Sequence, residues 1–316
     1  MSAVTSTDLK GALPFLAKGK VRDIYTVSDD SLLFVATDRI SAYDVIMENG
    51  IPDKGKLLTK LSQFWFKLLG NEVKTHLVGP SFEEPDEALF KLLPDSVSKN
   101  PELRAQLIGR SLLVNKFKLI PLEVIVRGYI TGSAWSEYKK SGTVHGIKVA
   151  PGLQESEQFA TPLYTPSTKA EQGEHDENIH PDRAVEILGG DKELAAAIEA
   201  LAIKLYVTAR DYAKTRGIII ADTKFEFGYI ENEDGSKTLV LVDEVLTPDS
   251  SRFWRADSYV IGQGQDSYDK QFLRNWLTDN NLKGKDGVTV PEDIVENTRK
   301  KYIEAYESIT GEKYSS

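Results

Sequence analysis

The chain has 316 residues, a formal net charge of −9 and no cysteine. This length allows a large core divided between two lobes. The acidic balance argues against a general nucleic-acid binder, and the lack of cysteine excludes disulfides, thiolate metal sites and cysteine nucleophiles. No apolar run approaches the roughly 18 residues of a membrane helix. We therefore predict a cytoplasmic protein that has neither a membrane nor a nucleic-acid partner.

Strand patterns open the chain, and a long helix follows them. Residues 16–27 and 32–36 flank a polar turn cluster, which predicts a hairpin. Apolar residues recur at helical spacing over residues 56–76, where we predict a helix that packs on the core. Residues 79–109 mix proline, acidic and small side chains, and we interpret them as a surface excursion.

The first of these strands carries an unusual set of cations. Lys18, Lys20 and Arg22 alternate along the sequence, so a single strand would display all three on one face beside Gly19. Glycine lets a backbone approach a ligand closely, and the pattern therefore predicts a cover for a polyphosphate. A solvated basic face is the alternative. Neither a P-loop nor a Rossmann fingerprint is present in the sequence.

A candidate anion site follows the strand signals at residues 111–115 and 122–126. Arg127 ends the second of these strands, and Ser133 stands at the expected N-cap of a short helix over residues 134–140. Helix N-termini favour anions because their N–H groups are unpaired. A serine that only caps the helix is the alternative.

A long proline-containing segment covers residues 149–181 and lacks periodicity, which predicts a functional or disordered loop. Within it, His175 and Asp176 could form a ligand pair, although solvent-facing loops have the same composition. Helical patterns follow over residues 181–215, interrupted near Gly189-Gly190, and again over residues 266–279 and 291–309.

Two acids, Glu226 and Asp243, stand on strands that we predict to face each other across a hairpin with an Asp234-Gly235 turn. Alternation places Asp222, Lys224 and Glu226 on one face and the two phenylalanines that follow Lys224 and Glu226 on the other. Acids embedded among apolar residues need a cation partner, and hard oxygen ligands suit Mg²⁺. A solvated hairpin face is the alternative.

The loop after this hairpin, TPDSSRFW, is mostly polar and carries a guanidinium group at Arg252. Asp249, Ser250 and Arg252 offer acceptors, donors and a fork that matches carboxylate or phosphate. A polar turn with a surface ion pair is the alternative.

Six segments together resemble the SAICAR synthetase family: GKVRDIY, DRISAYD, PLEVIVRGYITGSAW, TPSTKAEQGEHDENI, DTKFEFG and DEVLTPDSSRFW. The resemblance covers nearly the whole chain in the same order, with residues 79–109 least characteristic. In its size and in the absence of a carboxylase domain, the chain resembles the single-function fungal form of the family.

The resemblance implies an ATP-dependent ligase of purine biosynthesis. Such an enzyme joins the carboxylate of carboxyaminoimidazole ribotide (CAIR) to the amine of L-aspartate, releases ADP and phosphate, and passes through an acyl phosphate. It further implies an α+β or α/β fold, with an antiparallel, kinase-like ATP-binding lobe over residues 1–120. This lobe packs on an α/β lobe over residues 121–316, with the cleft between them, and we expect a monomer.

The resemblance also implies roles for particular residues. Those expected at ATP are Lys18, Gly19, Lys20, Arg22, Lys116, Glu123 and Asp243. Those expected to hold Mg²⁺ are Glu226 and Asp243, and with Lys20 and Lys224 they form the expected catalytic set. Those expected at the ribotide are Arg127, Ser133, Lys224, Asp249, Ser250 and Arg252. Candidates for the aspartate site are Arg39, Ser41, Lys169 and Asp176.

Two other classes stay open at this point. A small-molecule kinase would share ATP, Mg²⁺ and the cationic strand, but the HRD and DFG signatures are absent from the sequence. A nucleotide-sensing module would bind ATP without turnover. Dependence of ADP release on CAIR and aspartate separates the three classes.

Overall fold

The computed structural model describes residues 2–79, 85–169, 176–268 and 270–315. The strands are β1 (Phe15–Lys18), β2 (Arg22–Thr26), β3 (Ser31–Ala36), β4 (Ser41–Ala42), β5 (Val45–Ile46), β6 (Lys74–Thr75), β7 (Ser111–Asn115), β8 (Lys118–Leu119), β9 (Leu122–Tyr129), β10 (Thr143–Val144), β11 (Ile147–Lys148), β12 (Gln158–Tyr164), β13 (Ser167–Thr168), β14 (Ile218–Glu231), β15 (Lys237–Val242) and β16 (Ser251–Arg255). The helices are α1 (Lys54–Leu69), α2 (Pro85–Leu92), α3 (Asp95–Ser98), α4 (Pro101–Leu107), α5 (Gly132–Ser141), α6 (Pro181–Ile187), α7 (Lys192–Thr215), α8 (Gln271–Asp279) and α9 (Glu292–Thr310).

An antiparallel sheet of four strands, in the order β1-β2-β3-β7, forms the N-terminal part of the molecule. The predicted hairpin between β2 and β3 is confirmed. The prediction of one continuous strand over residues 16–27 is wrong, because the chain turns back between β1 and β2. Gly19 N–H donates to the carbonyl of Arg22 at 2.8 Å and closes this turn. Lys18 and Arg22 therefore lie on different strands.

Three short helices, α2 to α4, cover this sheet, so the interpretation of residues 79–109 as a surface excursion is wrong for residues 85–107. Phe90, Val97 and Leu103 are buried in one cluster with Leu33 and Val35 of β3. Burying a large apolar side chain contributes about 1.5–3 kcal/mol. None of the three helices exceeds 8 residues, which leaves too few turns for a clear periodic signal.

A larger sheet runs in the order β12-β9-β14-β15-β6, with β8, β13 and β16 pairing beside it. The central strand β14 has 14 residues. Phe225 and Phe227 are completely buried on the face that packs against α1, α7 and α9. The predicted alternation along this strand is confirmed. The mixed α and β architecture with an antiparallel N-terminal sheet is confirmed as well.

Several predicted elements occur close to their predicted positions. The break near Gly189-Gly190 separates α6 from α7. Helix α8 falls within the predicted range 266–279, and α9 matches the predicted range 291–309 to within one residue at each end. Residues 149–181 are not one loop, because β12 and β13 pair with β9. Pro162 and a register irregularity in β12 hide this edge strand from its sequence pattern.

Residues before position 120 take part in both sheets. Helix α1 packs in the core of the larger sheet, β6 pairs in parallel with β15, and residues 40–51 pack against α8 and α9. The boundary at residue 120 stays a prediction. Among the described residues, no helix combines the length and apolarity needed to span a bilayer.

Candidate active site

A polar cavity of about 460 Å³ opens over β9 and β14, at the loop that follows β15. Among the side chains that line it are eight from the sequence-based site set, together with Asp222 from the same predicted strand face: Glu123, Arg127, Ser133, Asp176, Lys224, Asp249, Ser250 and Arg252. A second cavity of about 390 Å³, lined by Ser41, shares Arg252 and Arg274 with it. The cleft therefore combines carboxylates, lysines and guanidinium groups in one connected space.

The two predicted metal ligands do not lie directly opposite each other. Val242 is the cross-strand partner of Glu226, and Asp243 follows one residue later, where β15 ends. Asp243 has a φ of 66°, in the left-handed region that aspartate tolerates better than most residues. The change in backbone direction turns the Asp243 carboxylate out of the strand's alternation, so the face-to-face prediction is wrong by one register position.

Cations surround these carboxylates in an alternating series. Arg22 donates two hydrogen bonds to Asp243, one of them 2.9 Å long. Lys169 forms an ion pair with Glu226, and Lys224 lies 3.6 Å from the same carboxylate. The β1–β2 turn and the segment after β13 therefore both meet the hairpin at its acidic end.

The series continues on the neighbouring strand. The ammonium group of Lys224 lies 2.6 Å from Glu123 of β9. Arg22 also approaches Glu244 at 3.4 Å. Because each charge has an opposite neighbour, the half-buried groups avoid the cost of an isolated ion.

Burial and ion pairing act in opposite directions on these groups. Burial disfavours the charged form of Asp243, but Arg22 outweighs it and holds the pKa of that carboxyl well below its usual range. Burial raises the pKa of Glu123, and Lys224 offsets part of this shift. Burial also opposes the charged form of Lys224, yet Glu123 and Glu226 raise its pKa above the usual value. Asp243 and Lys224 are therefore held charged at neutral pH.

The anion side of the cavity is built by three adjacent strands. Asp222 of β14 is the cross-strand partner of both Arg127 on β9 and Arg252 on β16. Its carboxylate accepts from both guanidinium groups, at 3.3 Å from Arg127. Arg127 further donates to Thr165 at 3.1 Å and lies 3.5 Å from Ser133. One carboxylate thus aligns two guanidinium groups toward the same space.

The helix at this site begins two residues earlier than predicted. Thr131, not Ser133, occupies the N-cap of α5, and Ser133 stands exposed in the first turn. The prediction of Ser133 as N-cap is wrong. Gly132 has a φ of 58°, and a Cβ there would lie 2.7 Å from an Arg252 nitrogen. Glycine therefore lets Arg252 lie against the start of the helix.

Asp249 lines the cavity and is held in place by two lysines and a tyrosine. Its side chain is 3% exposed, with Lys54 at 2.7 Å and Lys270 at 3.3 Å. The Tyr302 hydroxyl donates to its other oxygen at 2.7 Å. These contacts tie the loop after β15 to α1 and α9. The contact between Asp249 and the ribotide stays a prediction.

Three other predicted residues lie away from the main cavity. The Lys116 ammonium donates to the carbonyls of Ser28 and Asp29, and Lys18 is exposed at the end of β1. Arg39 is buried and binds backbone oxygens of the β1–β2 turn. This buried position does not favour direct contact of Arg39 with aspartate, which stays a prediction. His175 lies outside the described residues.

Several functional candidates were missed by the sequence interpretation. Arg274 lines both cavities, and Asp44 lies 2.5 Å from the Lys20 ammonium at the mouth of the cleft. Lys54 is completely buried. An arginine on an amphipathic helix and a lysine at a helix start are common on surfaces, so neither pattern carried a signal.

Glu226 and Asp243 have the chemistry to hold a divalent cation. The described residues contain no group of three or more candidate ligands. Mg²⁺, however, usually takes one or two carboxylates and completes its shell with phosphate and water. The two carboxylates beside a cationic turn fit this pattern, with Lys169 and Arg22 as exchangeable counterions.

The fold and the site fit one class: an enzyme whose cleft of alternating charges suits phosphorylated, multiply charged small molecules. Comparison with known proteins gives the family. The sequence profile of SAICAR synthetase matches residues 15–291. The chain belongs to the SAICAR synthetase family.

Relatives match over the whole length. A phosphoribosylaminoimidazole-succinocarboxamide synthase from Saccharomyces cerevisiae is 62% identical over 99% of each chain, and one from Schizosaccharomyces pombe is 57% identical over 99% of each. A solved SAICAR synthase from Saccharomyces cerevisiae, complexed with SAICAR, has a TM-score of 0.89 at 60% identity and covers 99% of this chain and 100% of that one. A SAICAR synthetase in complex with ADP has a TM-score of 0.66 at 28% identity, covering 95% and 99%.

Proposed function

We infer that this chain is an ATP-dependent ligase of purine biosynthesis that joins the carboxylate of CAIR to the amine of L-aspartate and forms SAICAR, ADP and phosphate. Family membership over the full length supports the activity. The structural observation that carries it is the contact between Arg22 and Asp243. This contact brings the start of β2, next to the glycine-containing turn, against the acidic end of the hairpin. A nucleotide phosphate bound there would meet both.

The chemistry requires activation of an unreactive carboxylate. Transfer of the ATP γ-phosphoryl group to a CAIR carboxylate oxygen gives an acyl phosphate, and the aspartate amine then displaces phosphate. Such transfer needs alignment and charge neutralisation more than covalent help. Mg²⁺ held by Glu226 and Asp243 would supply part of that neutralisation when bound. Lys20 and Arg22 would bind the phosphates, and Lys224 would face the reacting carboxylate.

The ribotide would bind along the side of the cavity formed by Arg127 and Arg252, here called the guanidinium wall. Arg127 and Arg252 are aligned by Asp222, and Ser133 adds a hydroxyl at the start of α5. This set suits a phosphate dianion, since guanidinium forks bind phosphate oxygens in pairs. Ser250 lies on the same wall.

Aspartate would occupy the space between this wall and the segment after β13. Ser41 and Arg274 line the cavity next to Arg252, while Asp176 lines the main cavity. Lys169, released from Glu226 when a cation binds there, would become available for a substrate carboxylate. Asp176 would then bind the amine.

We further propose a cytoplasmic, monomeric enzyme. The cysteine-free composition fits a reducing compartment. Sedimentation of the purified protein at several concentrations measures the oligomeric state, and a dimer mass at all of them would contradict the monomer.

The deciding experiment measures ADP release with ATP and Mg²⁺ while CAIR and aspartate are added separately and together. We expect rapid release only when both are present, with SAICAR formed in equal amount. A small-molecule kinase would accumulate a phosphorylated product without aspartate. A nucleotide sensor would bind ATP without turnover. Either result contradicts the ligase.

A further inference from the structure

The guanidinium of Arg39 is buried beneath the β1–β2 turn and binds three of its carbonyl oxygens. Its Nη2 donates to the carbonyls of Gly19 and Arg22, each at 3.0 Å, and its Nε donates to the carbonyl of Lys20 at 3.2 Å. The side chain is 4% exposed. One side chain therefore fixes most of the turn from below.

The charge of Arg39 is compensated by a second buried group. Asp23 lies 2.9 Å from Nη2 and is 2% exposed. The other Asp23 oxygen accepts from the backbone N–H of Thr7 at 2.8 Å and from its hydroxyl at 2.9 Å. Arg39 Nη1 donates to the carbonyl of Thr5 at 2.6 Å. The N-terminal segment thus closes the underside of the network.

The direction of the carbonyls sets the direction of the N–H groups. In a planar trans peptide the C=O and the following N–H point in opposite directions. With the carbonyls of Gly19 and Lys20 aimed at Arg39, the N–H groups of Lys20 and Val21 point away from it. Thr37 holds the carbonyl of Val21 at 2.9 Å and 2.8 Å. Successive N–H groups on one side of a turn form a concavity that binds anions.

We propose that Arg39 is a positioning residue for the nucleotide: together with Asp23 and Thr5–Thr7, it holds the Gly19–Arg22 turn in the conformation that binds ATP phosphates. It touches the turn and not the ligand. This inference rests on the proposed function, because it takes the turn to be the phosphate cover. It assigns Arg39 to ATP affinity and removes it from the aspartate site.

The test is Arg39→Lys. A single ammonium cannot reach three carbonyls and Asp23 together. We expect the Kd for ATP, measured by calorimetry with Mg²⁺ and without CAIR, to rise at least about 10-fold. The KM for CAIR and the kcat at saturating ATP should stay within about twofold of wild type, because the guanidinium wall lies on other strands. Unchanged ATP affinity in the folded variant, or a rise in the KM for aspartate instead, would overturn the inference.

Two further variants guard against misfolding. Arg104→Lys is the matched control: Arg104 packs on Phe90, pairs with Glu87 and lies in the same N-terminal core without contact to the turn. It should lower the melting temperature and leave ATP affinity intact. If Arg39→Lys does not fold, Asp23→Ala decides, since it removes the acceptor that holds the Arg39 guanidinium beneath the turn. ATP binding by Asp23→Ala that equals wild type would then refute the positioning role.

Lys20→Ala separates this inference from the proposed function. Its side chain is about half exposed and pairs with Asp44, so its loss removes a proposed phosphate contact and not the support under the turn. If Lys20→Ala weakens ATP binding and Arg39→Lys does not, only the positioning role fails. If neither weakens it, the turn is not the phosphate cover, and the assignment of ATP to this turn fails with it.

Discussion

Single residues in the cleft are already compensated before a ligand binds. Arg22 pairs with Asp243, Lys169 with Glu226, and Lys224 with Glu123. Breaking a buried pair without replacement costs several kcal/mol. A substrate phosphate or a divalent cation can take one member's place only by bringing the same charge. The residues of this cleft therefore discriminate between ligands mainly by charge and less by shape.

The two hairpin acids should be essential for turnover. Glu226→Gln and Asp243→Asn each remove a proposed cation ligand while keeping the side-chain shape, so we expect kcat to fall at least ~10²-fold. Steady-state assays over a range of Mg²⁺ concentrations measure the effect, and higher Mg²⁺ should restore part of the activity.

Glu231→Gln is the matched control, because Glu231 lies on the same strand β14 and pairs with Lys118 at the surface. It should retain wild-type kcat. Near-normal turnover by folded Asp243→Asn would move the ligand role to Glu244, which lies 3.4 Å from the same arginine.

Arg127 should matter for CAIR and not for ATP. Arg127→Ala removes a charged hydrogen-bond donor from the guanidinium wall, a loss of about 1.5–3 kcal/mol, so the KM for CAIR should rise roughly ten- to over a hundred-fold. The KM for ATP should change much less. Initial rates with each substrate varied in turn measure the two constants.

Arg255→Ala provides the comparison, since Arg255 ends β16 near Arg252 but pairs with Asp257 at the surface. It should leave both constants unchanged. A collapse of ATP affinity in Arg127→Ala, with CAIR unaffected, would show that this wall binds the nucleotide instead.

Among the elements, residues 165–169 and 176–179, here called the β13 segment, join the sheet to the cleft. Its start pairs with β9, Lys169 reaches Glu226, and Asp176 lines the cavity. We expect Lys169→Ala and Asp176→Ala to raise the KM for aspartate, because the segment would shield a hydrolysis-prone acyl phosphate and position the amine. Aspartate-independent ATP hydrolysis should rise in the same variants.

Lys148→Ala, an exposed change on β11, is the control for loss of a surface lysine. Melting temperatures of all three variants should stay close to wild type. A lowered melting temperature with unaltered aspartate kinetics would reduce the segment to a packing role.

Elements with strong local patterns were predictable, and short or irregular ones were not. The alternation around Phe225 and the long helix α7 carry enough residues for one period to dominate. Helices α2 to α4 and strand β12 depend on burial against strands from elsewhere in the chain. The short sequences of these elements do not contain that information.

The same distinction holds for the site. Glu226 could be predicted because an acid among apolar strand residues carries a desolvation cost, and both the acid and its apolar neighbours are visible in one short stretch of sequence. The anchoring of Asp249 by Lys54 and Tyr302 joins residues 195 and 53 positions apart in the chain. The support of the turn by Arg39 depends on how three strands meet. No spacing in the sequence encodes such contacts.

At the scale of the whole molecule, His76 marks the junction of the two sheets. Its N–H donates to the carbonyl of Leu241, and its carbonyl accepts from Asn115. The ring packs against Phe34 and Phe66 and is 2% exposed. Burial, aided by nearby Arg22 and opposed by Asp243, lowers the pKa of His76 from 6.5 to about 4. The junction therefore contains a neutral imidazole.

This histidine makes stability depend on pH in one direction. Its folded pKa is depressed, so its contribution is complete above pH 6.5 and is lost as the pH falls toward about 4. His76→Phe keeps the aromatic contacts and removes the titration. Between pH 7 and pH 4.5 the unfolding free energy of His76→Phe should fall by about 2 kcal/mol less than that of wild type. Urea denaturation at both pH values measures the difference. Phe66→Leu, which disturbs the same contacts without a titrating group, should lower stability equally at both. If the unfolding free energies of wild type and His76→Phe changed in parallel with pH, burial at the junction would not lower the pKa of His76.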